Sequence, residues 1–290
     1  MGQQVQRGRL AIIAGGGRLP LYVAEAARRQ GESPFIFALK GESEVDWSGF
    51  DHQIIGIGEV AAFKRRSSEL GIGRIIMSGS VRRRPPFREV RLGISGLLRI
   101  PTMIRKLSAG GDNAVLTAVI ELLENDQRQV IGVQDVAPDL LAEIGPVGRQ
   151  APDAADREDI AVAIRAARLI GELDFGQGAI AVGGRVVALE GPEGTDKMIA
   201  RVADMKREGR ISSHRKGVLV KLCKEKQDPR VDLPSAGLDT LKNAKAAGLA
   251  GVALEAGRSL LLDRDEVRRY ADDNGLFIVG IDPEEWELRP

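Results

Sequence analysis

The chain has 290 residues, is 43% apolar and carries a net charge of +1; that is enough to bury a sizeable core and too long for one average domain, so two compact α/β domains are expected. The single cysteine, Cys223, excludes an internal disulfide and a thiolate metal cluster and suits a reducing cytoplasm. The charge balance gives no argument for nucleic acid, the N-terminus lacks the apolar core and cleavage site of a signal peptide, and no run approaches the roughly 20 apolar residues of a spanning helix.

Residues 10–14 form a short apolar run that ends in Gly15-Gly16-Gly17, and residues 21–30 follow with helix-forming composition, a strand–glycine loop–helix unit. Strands are expected at 35–39 and 53–56, a helix at 60–70 closed by Gly71, and a strand at 74–77 leading into Ser78-Gly79-Ser80. An amphipathic helix at 114–123 and a strand at 129–133 complete a first domain over residues 1–145, with the alternation of a nucleotide-binding-like, mostly parallel sheet.

Residues 146–158 are rich in Gly, Pro, Ala and Asp without apolar periodicity and read as a linker, leaving 159–290 as a second α/β domain. There a helix is expected at 160–170. Strands at 179–182 and 186–189 flank Gly183-Gly184, a two-residue hairpin turn. Helices at 195–207, 238–247 and 264–274 alternate with strands at 218–222, 251–254 and 277–280.

Five stretches carry chemistry. Gly15, Gly16 and Gly17 sit where a helix N-terminus receives a diphosphate, but the dinucleotide pattern wants Gly where this chain has Pro20, so a tight turn explains them equally well, and a dinucleotide-dependent oxidoreductase would rest on this loop alone. Between Arg82 and Lys106 eight cations face one acid, Glu89, and interleave with Leu and Ile. Such a segment suits an anionic bilayer or a phosphorylated lipid; the plain alternative is a solvated surface. With Phe87 as its one aromatic residue it offers too little base stacking for nucleic acid, which is set aside. Gly111, Asp112 and Asn113 precede a helix, as caps or as a polar loop for a nucleotide. In the run 190–197, Glu190, Glu193 and Asp196 bend around Gly191, Pro192 and Gly194 as oxygen ligands for a hard cation such as Mg2+; otherwise Thr195 or Asp196 caps a helix. Lys221, Lys224, Gln227, Asp228, Arg230 and Asp232 leave a strand together, with cations for phosphate and carboxylates for metal or water; a solvated loop is the alternative. His214 has no partner visible in sequence and ranks below the carboxylates.

In this order the motifs resemble the UDP-2,3-diacylglucosamine pyrophosphatase family of the alphaproteobacterial type. The resemblance covers nearly the whole chain and rests on residues 13–20, Gly111-Asp112-Asn113, Leu173-Asp174-Phe175-Gly176-Gln177, residues 190–196, Lys221, residues 227–234, Gly237 and residues 247–251. The chain departs from the pattern at Asn113, Phe175, Pro192 and Ala236, and at Asn113 the departure replaces an acid. The resemblance implies cleavage of UDP-2,3-diacylglucosamine to UMP and 2,3-diacylglucosamine 1-phosphate in lipid A synthesis, with magnesium and a lipid held between two domains.

On this reading Asp228 and Asp232, with Glu190 or Glu193, hold Mg2+, while Lys221 and Arg230 stabilise growing charge and Gln227 joins them. Gly15, Gly16, Gly17, Ser78, Gly79, Ser80, Arg82, Gly111, Asp112, Asn113, Gln177, Glu193, Gly194, Thr195 and Asp196 are expected to bind substrate. The expected partners are the acylated UDP-sugar, its lipid product and the inner face of the inner membrane, with a homodimer compatible and nucleic acid excluded. The competing class is a non-catalytic carrier of phospholipid or nucleotide sugar, which needs no carboxylates.

Overall fold

A computed structural model describes residues 8–81, 112–225 and 227–287. The chain divides between Asp139 and Leu140 into two units, each with its own sheet.

In the first unit β1 (Arg9–Ala14), β2 (Phe35–Leu39), β3 (His52–Ile55), β4 (Ile72–Ser78) and β5 (Gln129–Val130) pair in parallel, in the order β3-β2-β1-β4-β5. Their near-continuous apolar runs suit strands covered on both faces, and Leu10, Ile12, Ile36, Phe37, Ile75 and Ile76 are buried. The helices are α1 (Leu19–Arg29), α2 (Val60–Glu69) and α3 (Asp112–Leu123). Pro20 lies in the first turn of α1, where a missing N–H costs nothing, and Phe63 of α2 meets Phe37 with ring centroids 4.7 Å apart. The expected strand at 129–133 ends at Val130, and a 3₁₀ turn follows over Val133–Asp135.

In the second unit the order is β6-β13-β11-β9-β7-β8, from β6 (Gly145–Pro146), β7 (Gly178–Ala181), β8 (Val186–Leu189), β9 (Val218–Lys221), β11 (Gly251–Glu255) and β13 (Phe277–Ile281). Strands β9, β11 and β13 are parallel; β6, β7 and β8 are antiparallel to their neighbours. A short ribbon joins β10 (Ser235–Ala236) to β12 (Leu260–Leu261). On one face Ile180, Ala188, Leu219 and Leu254 pack with Met198 of α5 (Thr195–Arg207), Leu241 of α6 (Leu238–Ala246) and Val267 of α7 (Arg264–Asn274). On the other, Ala179, Val218, Val220 and Ala253 meet Ile160 and Ile164 of α4 (Ala154–Glu172), beside α8 (Pro283–Glu287). No helix among the described residues is long and apolar enough to cross a membrane.

The division falls earlier than the expected end of the first domain at residue 145, and residues 146–158 are not a bare linker. Gly145 and Pro146 pair with Gly280 and Val279 as an edge strand, a place that tolerates proline. Helix α4 starts at Ala154 rather than 160 because Asp153 and Asp156 form a reciprocal cap, the Asp153 carboxylate accepting from Asp156 N at 2.9 Å and the Asp156 carboxylate from Asp153 N at 3.1 Å. Carboxylates that look like loop composition are here the start of a helix.

Candidate active site

The second unit gathers its polar side chains at the carboxyl ends of β9 and β11, the usual ligand side of an open α/β sheet. Lys221 lies directly across from Gly178, and Glu190, the residue after β8, gives its N–H to Gly178 O at 2.8 Å. Paired residues share a face, and alternation from Leu219, Ile180 and Ala188 puts all three on the α5–α6 face. Glycine at the middle position leaves room for the Glu190 side chain: a Cβ there would lie 2.8 Å from Oε2 and push the carboxylate aside. Glu190 therefore reaches over the glycine towards Lys221.

Lys221 is only 5% exposed and its Nζ donates to Ser235 O at 2.9 Å. Burial pushes its pKa below the ordinary lysine value, opposed by the charges of Glu190, Asp196 and Asp232. Glu190 is 7% exposed; Oε1 accepts from Thr195 Oγ1 at 2.6 Å, and Oε2 is buried without a hydrogen-bond partner. Asp196 accepts from Asn243 Nδ2 of α6 at 2.9 Å. Thr195 and Asp196 open α5 after Gly194, so the first turn of that helix brings Thr195 to Glu190 and the Asp196 charge to bear on the ammonium.

The loop after β9 is tied by its own side chains. Gln227 Oε1 accepts from Lys224 N at 3.3 Å while its Nε2 donates to the Asp232 carboxylate, which makes Gln227 a strut under Asp232. Arg230 grips Asp228, with Nε donating to Oδ1 at 3.0 Å and the terminal nitrogen to Oδ2 at 2.6 Å. Those hydrogen bonds hold the Asp228 carboxyl below the usual range, against a smaller effect of burial. Lys224 Nζ pairs with Asp174 Oδ1 at 2.8 Å, and Leu222 N donates to Gln177 O at 2.9 Å, which anchors the 173–177 motif beside the loop. Gln177 Oε1 is buried without a partner.

Thus Lys221, Glu190, Asp196 and Asp232 come together with Thr195 and Gln227 around them. The four expected metal ligands do not converge as a set: Glu193 pairs with Arg201 at 2.6 Å, Asp228 is held by Arg230, and no group of three or more His, Cys, Asp or Glu suited to a metal occurs among the described residues. His214 is exposed and lines a cavity with Asp156 and Arg215 at the opposite, amino-terminal end of β9. In the first unit the glycine loop has a structural cause. Gly15 N donates to Ser78 O at 2.8 Å, Gly16 N to Ser80 O at 2.7 Å and Ser80 N to Gly16 O at 3.0 Å, and a Cβ on Gly15 would fall 2.5 Å from Ser80 O. Glycine lets the two loops, at 15–17 and 78–80, touch; two of its N–H groups are spent on that contact. Arg82, Gly111 and the basic run to Lys106 lie outside the described residues, as do the side chains of Asp112 and Asn113, which open α3.

Ser235, Asn243 and Glu255 escaped the sequence reading. Glu255 ends β11 and accepts from Cys223 N at 2.8 Å through Oε2. Its acidic residue at the end of an apolar strand was the available signal; Asn243 and the Ser235 carbonyl offered none.

Two α/β units, one with a buried lysine and three nearby carboxylates beyond the carboxyl ends of its strands, define an α/β protein with a polar site where open sheets of this kind take their ligands. The LpxI N-terminal domain model matches residues 9–140 and the LpxI C-terminal domain model residues 143–279. A UDP-2,3-diacylglucosamine pyrophosphatase LpxI from Caulobacter vibrioides is 36% identical over 278 residues, spanning 96% of this chain and 99% of the relative. The chain belongs to the LpxI family.

Proposed function

We propose that this protein hydrolyses the diphosphate of UDP-2,3-diacylglucosamine, giving UMP and 2,3-diacylglucosamine 1-phosphate in lipid A synthesis. The observation that carries the reading beyond family membership is Lys221, an ammonium kept from water yet surrounded by Glu190, Asp196 and Asp232. A buried cation preorganised in this way meets phosphate oxygens without reorganising solvent. Asp232, fixed by the Gln227 strut, orients water for attack on phosphorus; Lys221 and Arg230 offset the charge that develops on the phosphate oxygens.

A divalent magnesium ion fits this set in one respect: Glu190 Oε2 is a buried hard oxygen without a protein donor, and Asp232 acts on the same ammonium. These two carboxylates are the residues that would hold it, with Glu193 and Asp228 turned to their arginines. Magnesium commonly takes one or two carboxylates, water and substrate phosphate, and supplies polarisation of the phosphoryl oxygens. The acylated substrate places the work on the cytoplasmic face of the inner membrane, where the cations between Arg82 and Lys106 suit anionic lipid.

Purified protein incubated with UDP-2,3-diacylglucosamine and magnesium should release UMP, and a chelator should stop it. Lys221→Met and Asp232→Asn should each lower kcat by about 10²- to 10³-fold, the scale of one lost charge-stabilising group. A carrier would bind the lipid and yield no UMP under either condition, and that result would overturn the proposal.

A further inference from the structure

We infer that Glu255 is a positioning residue, a brace that fixes the catalytic loop to the end of the neighbouring strand; the inference rests on the hydrolytic reading above. Glu255 closes β11, the strand beside β9, and is 8% exposed. Its two oxygens are divided. Oε2 accepts from the backbone N–H of Cys223, two residues beyond Lys221, at 2.8 Å; Oε1 accepts from the Arg258 guanidinium at 3.1 Å. The other terminal nitrogen of Arg258 returns to Cys223 Sγ at 3.5 Å. Glu255 and Arg258 thus clasp both the backbone and the side chain of one residue, where the loop leaves the sheet.

The clasp has a mechanical consequence. Past Lys221 the ladder ends, and the loop must hold Gln227, Asp228 and Asp232 in place without strand pairing. On one side Leu222 N is tied to Gln177 O; on the other Cys223 N is tied to Glu255, and from Lys224 onward the Gln227 strut takes over. Glu255 is the link between the sheet and the strut. A charged acceptor on a buried N–H is a strong hydrogen bond, and its loss leaves that donor unsatisfied, so the loop should shift rather than stay. Shifts of about 1 Å at reacting groups cost on the order of 10²-fold in rate.

Cys223 is the only cysteine in the chain, which makes its thiol a reporter of the clasp that does not depend on catalysis. It is buried, and burial pushes the thiol up, so the wild-type protein should react slowly with a thiol reagent.

The test compares Glu255→Ala, Glu255→Asp and Glu255→Gln in the full chain by steady-state hydrolysis and by the rate of Cys223 labelling. Glu255→Ala should lower kcat by about 10- to 100-fold with KM nearly unchanged, and raise the labelling rate about tenfold through local opening. Glu255→Asp, one methylene shorter and the milder change should Glu255→Ala fail to fold, should move both readouts the same way. Glu255→Gln keeps an oxygen for Cys223 N but turns an amide donor towards Arg258 and loses the charge, so it should restore both readouts only in part, to a level between Glu255→Ala and wild type. Folded Glu255→Ala or Glu255→Asp protein with wild-type kcat and slow labelling would overturn the brace, as would a Glu255→Gln variant no better than Glu255→Ala in both readouts. A wild-type protein that releases no UMP would sink the hydrolytic reading, while the labelling series would still judge the brace.

Discussion

Lys221 holds a positive charge where water scarcely reaches, and its protonation state should be visible in the pH dependence of the enzyme. Burial lowers its pKa from the ordinary value of 10.5, so the ammonium is lost on the alkaline side earlier than a solvated lysine would lose it. The rate, which needs the cation, should fall there. Stability should move the other way: between the folded and unfolded values the unfolded chain holds the proton that the folded one has shed, so folding becomes more favourable as pH rises. A profile of kcat/KM with parallel melting curves checks both signs, and Lys221→Arg should carry the alkaline limb out of range. A rate that stays level to pH 10.5 in the wild type would show that this ammonium does not serve the reaction. At this scale the sequence was partly legible. A lysine ending an apolar strand is conspicuous, and Asp228 with Arg230 two residues on is a local pair. That Glu190 meets Lys221 over Gly178 was not, because it depends on the spatial order β9-β7-β8, which no local pattern encodes. The same limit hid Glu255 and left the role of Gly15–Gly17 open, since the contact with Ser78–Ser80 is about sixty residues distant.

Among the elements, the β7–β8 hairpin shows what a local signal can and cannot say. Two glycines between apolar flanks announce the turn, and Gly183 and Gly184 take φ of 63° and 75°, the left-handed pair that a two-residue hairpin favours. What holds the turn comes from α4: the Asp159 carboxylate accepts from Gly183 N at 3.0 Å and Gly184 N at 2.6 Å. Asp159 reads in sequence as one more acid near a helix start. Replacing it with Ala strands two N–H groups and removes charge-assisted bonds, with an expected loss of about 2–4 kcal/mol and a melting temperature lower by roughly 5–10 °C. The hairpin lies at the amino-terminal end of β9, away from Lys221, so kcat at low temperature should stay near wild type. Calorimetry beside an assay at 15–20 °C checks the separation; an unchanged melting temperature, or a loss of kcat in the folded variant, would contradict it. The edge strand β6 is the opposite case. Gly145-Pro146 has no alternation to read, and its pairing with β13 draws on a strand more than 130 residues later.

For the whole molecule, the alternation of strands and helices was enough to place two α/β units, while the boundary was not, because it turns on that edge strand. All six strands of the second sheet, both apolar faces and the polar cluster around Lys221 lie within residues 140–290. A segment with its own sheet and core should fold without the rest. We therefore expect a 140–290 fragment to show native-like circular dichroism and a single cooperative melt. Its chemistry should not survive with its fold. The residues expected to bind substrate in the first unit, among them Gly17 and Ser80, are missing from the fragment, and binding energy from parts of the substrate remote from the reacting bond is what drives the chemical step. UMP release by the fragment should therefore drop by about 100-fold or more in kcat/KM. A fragment that melts without cooperativity would show that the second unit has no independent core. One that is folded and fully active would show that the first unit contributes nothing to the substrate, and the assignment of its loops at 15–17 and 78–80 to substrate binding would have to be given up.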